Sequence, residues 1–415
     1  MAPFAPRSND SDDDSVEEHR ETVNRLRRRI SELESQEKKT QSKSNVASQV
    51  KSFANLGRAI CKGVSTFDSV ESLIAEDDRR RDLEDARTRG DEVHEEEEVP
   101  TIEQDILHNG YKELCRFIVP LRKLLAEADH EELAPVLSAL RSGSRNARSD
   151  DTKNVREAIV PWLVAAFPEL SPTLDPDSRE NRGIYHDDLG RLLCPVEFDW
   201  NDQSVRTAIR EGDPNYLITA GSWWAGLYPP GKFDPVRPEA HLFTNVLLLK
   251  TYKFIFTSPL SMKTMPKDKE ISTLSPTHRG SGSRPRTKPK KLGSKSKRNV
   301  AAIVGLRTVT GRSIAYAAVQ YRVALSDANH WDDQDGGFDY REFYNNIVEY
   351  FEFPPGPVAR NEVARLLDWW NTNVFGTTPR WSLYEEHESR LSRETRETSS
   401  VALMRAARLA RESDV

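Results

Sequence analysis

Four stretches of this chain carry residue types that could do chemistry. His186-Asp187-Asp188, with His241 downstream, sets imidazoles beside carboxylates, the material of acid–base or metal chemistry. Asp333, Asp335, Asp339 and Glu342 fall around Gly336 where an EF-hand loop places oxygen ligands. The first loop position is Trp331 instead of a carboxylate, so the reading preferred is a polar turn whose aspartates cap the next helix. A degenerate calcium site is the alternative. Gly226 to Lys232 imitates a phosphate loop, but Pro229 and Pro230 remove N–H donors and Phe233 stands where a hydroxyl is needed. Cys194 precedes Pro195 and reads as a buried structural thiol.

The fourth stretch is basic. Residues 278–298 hold nine Lys or Arg and no carboxylate. Arg284, Arg286, Lys288, Lys290 and Lys291, then Lys295, Lys297 and Arg298, are spaced like a nuclear import signal or a nucleic-acid-binding arm. No aromatic residues interleave them, which argues against base stacking on single strands. HExxH, GxSxG and paired zinc-ligand spacings are missing from the sequence, so neither a metal nor a cofactor is expected.

Composition bounds what can hold these residues in place. Of 415 residues 37% are hydrophobic and 30% charged, with a net charge of −6, so long parts of the chain cannot bury enough apolar surface to fold. Mean hydropathy is −0.68. All eight tryptophans lie between Trp162 and Trp381, which locates the core, because large rings supply much of a core's area. Three widely spaced cysteines suggest a reducing compartment and no disulfide framework. The first residues lack the basic and apolar regions of a signal peptide, and the longest apolar run is far too short to span a membrane. A soluble intracellular protein is expected.

The periodicities predict a mainly α fold, a single irregular helical domain with charged attachments. Residues 1–15 are acidic and expected to be disordered. Val16, Val23, Leu26, Ile30 and Leu33 suggest a short coiled coil within 16–40, and a weak homodimer through 16–38. A helical segment (41–75) and an acidic linker (76–100) follow. The domain proper takes 101–261 and 300–382, split by a disordered basic insertion at 262–299. A charged tail fills 383–415, with a weak amphipathic helix expected near Val401–Ala410. Within the first part, helices over 133–140 and 155–167 are separated by the loop SGSRNARSDD. The stretch 239–257 reads as a buried helix, 300–325 as a long helix broken near Gly311, and 340–353 and 358–370 as further helices. Trp223-Trp224 and Trp369-Trp370 read as core packing, one ring of each pair inside and the other at a rim, because adjacent residues on a helix do not share a face.

The runs YHDDLGRLLCPVEFDW, GDPNYLITAGSWWAGLYPPGKFDP and EAHLFTNVLLLKTYKFIFTSP, with FDYREFYNNIVEYFE later, resemble an uncharacterised domain family abundant in mushroom-forming fungi. The resemblance covers roughly 102–375 outside the basic insertion. It implies that the aromatic words are signatures of a fold, and it brings no catalytic residues.

The chain thus reads as a non-enzymatic interaction protein, with the nucleus favoured as its address. Its basic arm would engage an import receptor or nucleic acid, beside other protein partners. The alternative is an enzyme of unfamiliar type with a site at His186, Asp187, Asp188 and His241. Deleting 278–298 from a fluorescent fusion should reduce nuclear accumulation, and unchanged accumulation would sink the import reading.

Overall fold

The computed structural model describes residue 29 and residues 50–90, 99–257, 306–328, 332–376 and 400–413. The chain forms two compact units, Met1–Phe53 and Ala54–Val415. The described residues of the first, 29 and 50–53, are helical. The heptads of 16–38, apart from Arg29, and the whole basic insertion lie outside the described residues.

The second unit is mainly helical, as the periodicities predict. It opens with α1 (Ile60–Gly63) and α2 (Val70–Arg89), the latter capped by the Ser69 hydroxyl. The expected acidic linker is therefore helical as far as Arg89. Glu76 lies 2.8 Å from Arg79 and 2.6 Å from Arg80, and Asp77 lies 2.6 Å from Arg81, so the charges of this stretch stabilise a helix face. Arg80 also reaches Asp105 at 3.0 Å on α3 (Ile102–Phe117), which begins with a Thr101–Gln104 capping box. Then come α4 (Val119–Glu127) and α5 (His130–Ala166).

The 37-residue α5 runs straight through the predicted loop SGSRNARSDD. Tertiary contacts override its weak helical propensity. A side chain at Gly143 would sit 2.0 Å from the Ala54 carbonyl, so only glycine allows this close approach. Further along, Arg148 donates to the Thr66 carbonyl at 3.0 Å. Asp151 pairs with Lys62 and accepts from the Tyr316 hydroxyl at 2.6 Å. Burial pushes the Lys62 ammonium down to about 8.

Next are α6 (Asp187–Leu193), α7 (Gln203–Glu211) and α8 (Val246–Phe256). The helix expected over 239–257 starts seven residues late. His241 and Phe243 adopt left-handed backbone, and the Asn245 side chain caps the helix instead. Residues 217–224 are irregular, with Trp224 in an isolated bridge to Pro195, and Ala225–Leu227 make a single 3-10 turn. Because this segment is not helical, Trp223 and Trp224 are both buried, at 0% and 1% exposure. Trp369 and Trp370 do sit on a helix, and there one ring is buried and the other only partly so.

The axis of the unit is α9 (Gly311–Leu325), which begins at a Thr310–Ser313 capping box and is buried at every residue. It packs against α1, α5, α8 and α10 (Tyr340–Glu352). Before α10 lies a two-residue hairpin, β1 (Gln334–Asp335) against β2 (Phe338–Asp339). After it come α11 (Pro357–Phe375) and α12 (Ser400–Ser413).

A helix buried all round must satisfy its charges internally. Arg312 does so across the whole unit. Its guanidinium bonds Glu352 on α10 at 2.6 and 2.9 Å, the Val64 carbonyl after α1 and the Ile106 carbonyl of α3 at 2.8 Å. Burial is the largest influence and opposes its charge, but Glu352, together with Tyr344 and Glu113, outweighs it and holds the guanidinium ionised. Arg312→Met alone should cost about 3–5 kcal/mol in chemical denaturation, because a buried carboxylate loses its partner. Adding Glu352→Leu should recover most of that loss. A double variant as unstable as the single would contradict this assignment.

Candidate functional site

Segment 172–193, the C-terminal end of α9 and the β1–β2 hairpin meet around two adjoining hollows. The first is a polar cleft of about 500 Å3 whose wall includes Arg179, Arg182, Tyr185, His186 and Asp327. Arg182 straps the loop down. It donates to the carbonyls of Ala324 at 2.6 Å, Asp175 at 3.1 Å, Ser178 at 3.2 Å and Arg156 at 3.3 Å. All of these acceptors are neutral. Burial, then Arg156 and Arg179, bring its pKa down to about 10. Arg179 donates to the Ala328 carbonyl. The loop then turns at Gly183 with φ +79°, where a side chain would lie 2.9 Å from the Asp327 carboxylate.

His186 is at the foot of this cleft as a helix cap. Its Nδ1 accepts from the backbone N–H of Asp188 at 3.2 Å and of Leu189 at 3.4 Å. Nε2 therefore carries the proton and donates to the Pro172 carbonyl at 3.0 Å. Both ring nitrogens of the buried imidazole are thus engaged. Asp187 lies 2.5 Å from Arg210, whose hydrogen bond holds the carboxyl below the usual carboxylate range. Asp188 follows in the first turn of α6. His241 sits apart, on the turn before α8, where its carbonyl accepts from Thr244. His186, Asp187 and Asp188 are together as the start of one helix, and His241 does not join them.

The EF-hand-like stretch is the hairpin plus the start of α10. Its carboxylates diverge onto separate partners. Asp333 lies 3.5 Å from Arg341, Asp335 accepts from the Tyr340 hydroxyl at 3.2 Å, and Asp339 caps α10 through the Glu342 N–H at 2.9 Å. Glu342 is exposed on the first turn. Trp331 lies outside the described residues. Among the described residues no group of three or more His, Cys, Asp or Glu is placed to hold a metal ion. Burial, then Glu197 and Asp199, push the buried Cys194 thiol up to about 12, which leaves it protonated and inert. At the imitation phosphate loop, the turn after Leu227 leads into irregular chain with no helix to receive a phosphate. Arg284, Arg286, Lys288, Lys290, Lys291, Lys295, Lys297 and Arg298 lie outside the described residues.

The second hollow, about 250 Å3, opens beneath the hairpin and has Arg322 in its wall. Periodicity does not find Arg322, because it falls at the flank of the apolar face read from Ile314, Ala317, Ala318, Tyr321 and Leu325, where a charged residue reads as a solvated border. A signal was present. Neither neighbour a helical turn away (Ala318, Val319, Leu325, Ser326) is acidic, so the charge has no local partner.

On another face, α12 lies in a groove edged by α10 and α11. Val401 and Met404 are buried there, and three arginines reach the floor. Arg405 lies 2.5 Å from Glu349 and donates to Asn346 at 3.1 Å. Arg408 stacks 4.3 Å over the Tyr350 ring and donates to the carbonyls of Tyr350 and Ala359. Arg411 bridges Glu362, at 3.0 Å, and Glu239. Ser400 accepts from the Trp223 N–H, while Glu197 accepts from the Ser400 N–H. Glu412 accepts from the Ala359 N–H at 2.5 Å, in the first turn of α11. The weak amphipathic helix that the sequence predicts near Val401–Ala410 of the charged tail is thus formed, and it is docked.

No helix among the described residues is long and apolar enough to cross a membrane. No curated protein and no solved structure matches the chain. A model for a family of unknown function, DUF6698, matches residues 142–375. That span runs from the middle of α5 to the end of α11 and includes both hollows and almost the whole groove, but not the helix lying in it. Since the match takes in more than half of the sequence, the chain belongs to the DUF6698 family, a family of unknown function.

Proposed function

We propose that this is a non-enzymatic interaction protein of the nucleus, whose folded body grips an arginine-bearing amphipathic helix. The observation that carries the reading is α12 itself. It lies outside the family-matched span and presents Arg405 to Glu349, Arg411 to Glu362 and Glu239, and Arg408 to the Tyr350 ring, all within that span. The spacing places the three cations along one helix face, and aromatic stacking at Tyr350 adds an anchor. In the free chain α12 is the occupant, and a partner helix of the same chemistry competes with it. Because α12 belongs to the same chain its docking is intramolecular, so a partner must bind tightly or α12 must be weakened.

The polar residues beside the aromatic block support the non-enzymatic reading, since His186 and Asp187 are committed to a cap and an ion pair. The basic insertion supplies the nuclear address, and engages an import receptor or nucleic acid. The N-terminal heptads add a weak dimer contact.

The test uses the full chain with Arg405→Glu, Arg408→Glu and Arg411→Glu, which expels α12 from the groove. A labelled peptide of residues 400–413 should bind this variant and not the unmodified chain. Truncating one partner of such buried charge pairs typically weakens binding by about 2–5 kcal/mol, so the same peptide carrying Arg405→Ala should bind the variant at least tenfold more weakly. A peptide that binds both chains equally, or neither, overturns the groove.

A further inference from the structure

The arginines of α12 do not by themselves set where a helix sits in the groove. They recur every third residue, at 405, 408 and 411. Sliding the helix by one such step would bring Arg408 towards Glu349 and Arg411 towards the Tyr350 ring, so two of the three would find a site again. The register is fixed at the two ends, where the contacts do not repeat. Ser400 opens the helix and is 1% exposed. Its hydroxyl accepts from the buried Trp223 N–H, and its own N–H donates to the Glu197 carboxylate. Removing the hydroxyl takes the acceptor away from Trp223, and a buried donor left without a partner is costly.

At the other end Glu412 reaches the first turn of α11. That helix starts at Gly356-Pro357 with no capping side chain of its own, and Pro357 brings no N–H. The Glu412 carboxylate fills the place of a cap. It accepts from the Ala359 N–H at 2.5 Å, with its charge at the positive end of a 19-residue helix. Gly356 makes this approach possible, because a β-carbon there would collide with the Glu412 side chain. Trp223, Glu197, Gly356 and Ala359 all lie in the family-matched span, so both end contacts are offered by the body and answered by α12. Ser400 and Glu412 are twelve residues apart, about 18 Å along a helix.

We propose that the groove gauges its helix at both ends. The partner it takes is a helix that opens on a serine and carries arginines 5, 8 and 11 residues further on and a carboxylate at 12, the spacing of α12 itself. This rests on the reading of α12 as the occupant of a partner groove, and specifies which helices the groove admits. An arginine-bearing helix without the serine leaves the Trp223 N–H unmet, and one without the carboxylate leaves the α11 N-terminus bare. A helix with both residues at another spacing meets only one of the two ends.

The test titrates the full chain carrying Arg405→Glu, Arg408→Glu and Arg411→Glu with acetylated, labelled peptides of residues 400–413, followed by fluorescence anisotropy. Peptides with Ser400→Ala or Glu412→Ala should each bind at least about fivefold more weakly than the unmodified peptide. Ser400→Asp caps a free helix as well as serine does but sets a carboxylate against Glu197, so it should bind no better than Ser400→Ala. Inserting three alanines between Arg411 and Glu412 keeps every side chain and displaces the carboxylate, and should lose as much as Glu412→Ala. Adding Gly356→Ala to the chain should weaken the unmodified peptide and leave the Glu412→Ala peptide unchanged, a coupling that altered peptide helicity does not produce. If the unmodified peptide does not bind, the groove reading and the gauge fall together. If it binds and the end variants bind as tightly, or Gly356→Ala weakens both peptides alike, the groove stands and the gauge is overturned.

Discussion

A helix that is buried on every side has to find partners for whatever polar groups it carries, and α9 carries two arginines, a glutamine, a serine and two tyrosines. Arg312 meets this demand by reaching Val64, Ile106 and Glu352, residues drawn from three different parts of the chain. Two of these partners precede residue 142, so the segment matched by the family model and the helices before it form a single folded body at this point. Lys62 and Asp151 add a second tie between α1 and α5, with the Tyr316 hydroxyl of α9 as the third member. The unit could not shed α1 or α3 without leaving charges on α9 stranded.

Arginine recurs as the means of joining distant segments because its planar fork serves several carbonyls at once. Arg182 holds the 172–182 loop against α5 and α9, and Arg408 holds α12 against α10 and α11. In each case the acceptors are mostly backbone oxygens, and irregular segments of this protein are fastened in that way rather than by sheet pairing. Arg322 departs from this pattern, and the departure coincides with a cavity.

Legibility in the sequence followed locality. The 340–352 helix and its Asp339 cap could be read because a capping residue and an amphipathic repeat lie within a few residues of each other. The irregular Pro229–Pro238 stretch was legible from proline alone. The polar run at 142–151 reads as a loop, since its helicity comes from Ala54, Thr66 and Lys62, all remote in sequence. The start of α8 was placed too early because nothing in the apolar pattern signals the left-handed turns at His241 and Phe243. At the candidate sites, His186 was visible as a chemical group but its role as a cap was not, while Arg322 and the α12 groove were invisible. Their meaning resides in which surfaces meet, and a one-dimensional pattern does not carry that.

Native-state hydrogen exchange on the full-length chain tests most directly whether α9 is the element on which the rest depends. The amides of α9 should exchange only through global unfolding, and those of α3 and α10 next to Ile106 and Glu352 should open at the same free energy. An α9 that exchanges faster than α11, or an α3 that opens while α9 and α10 remain protected, would contradict the account.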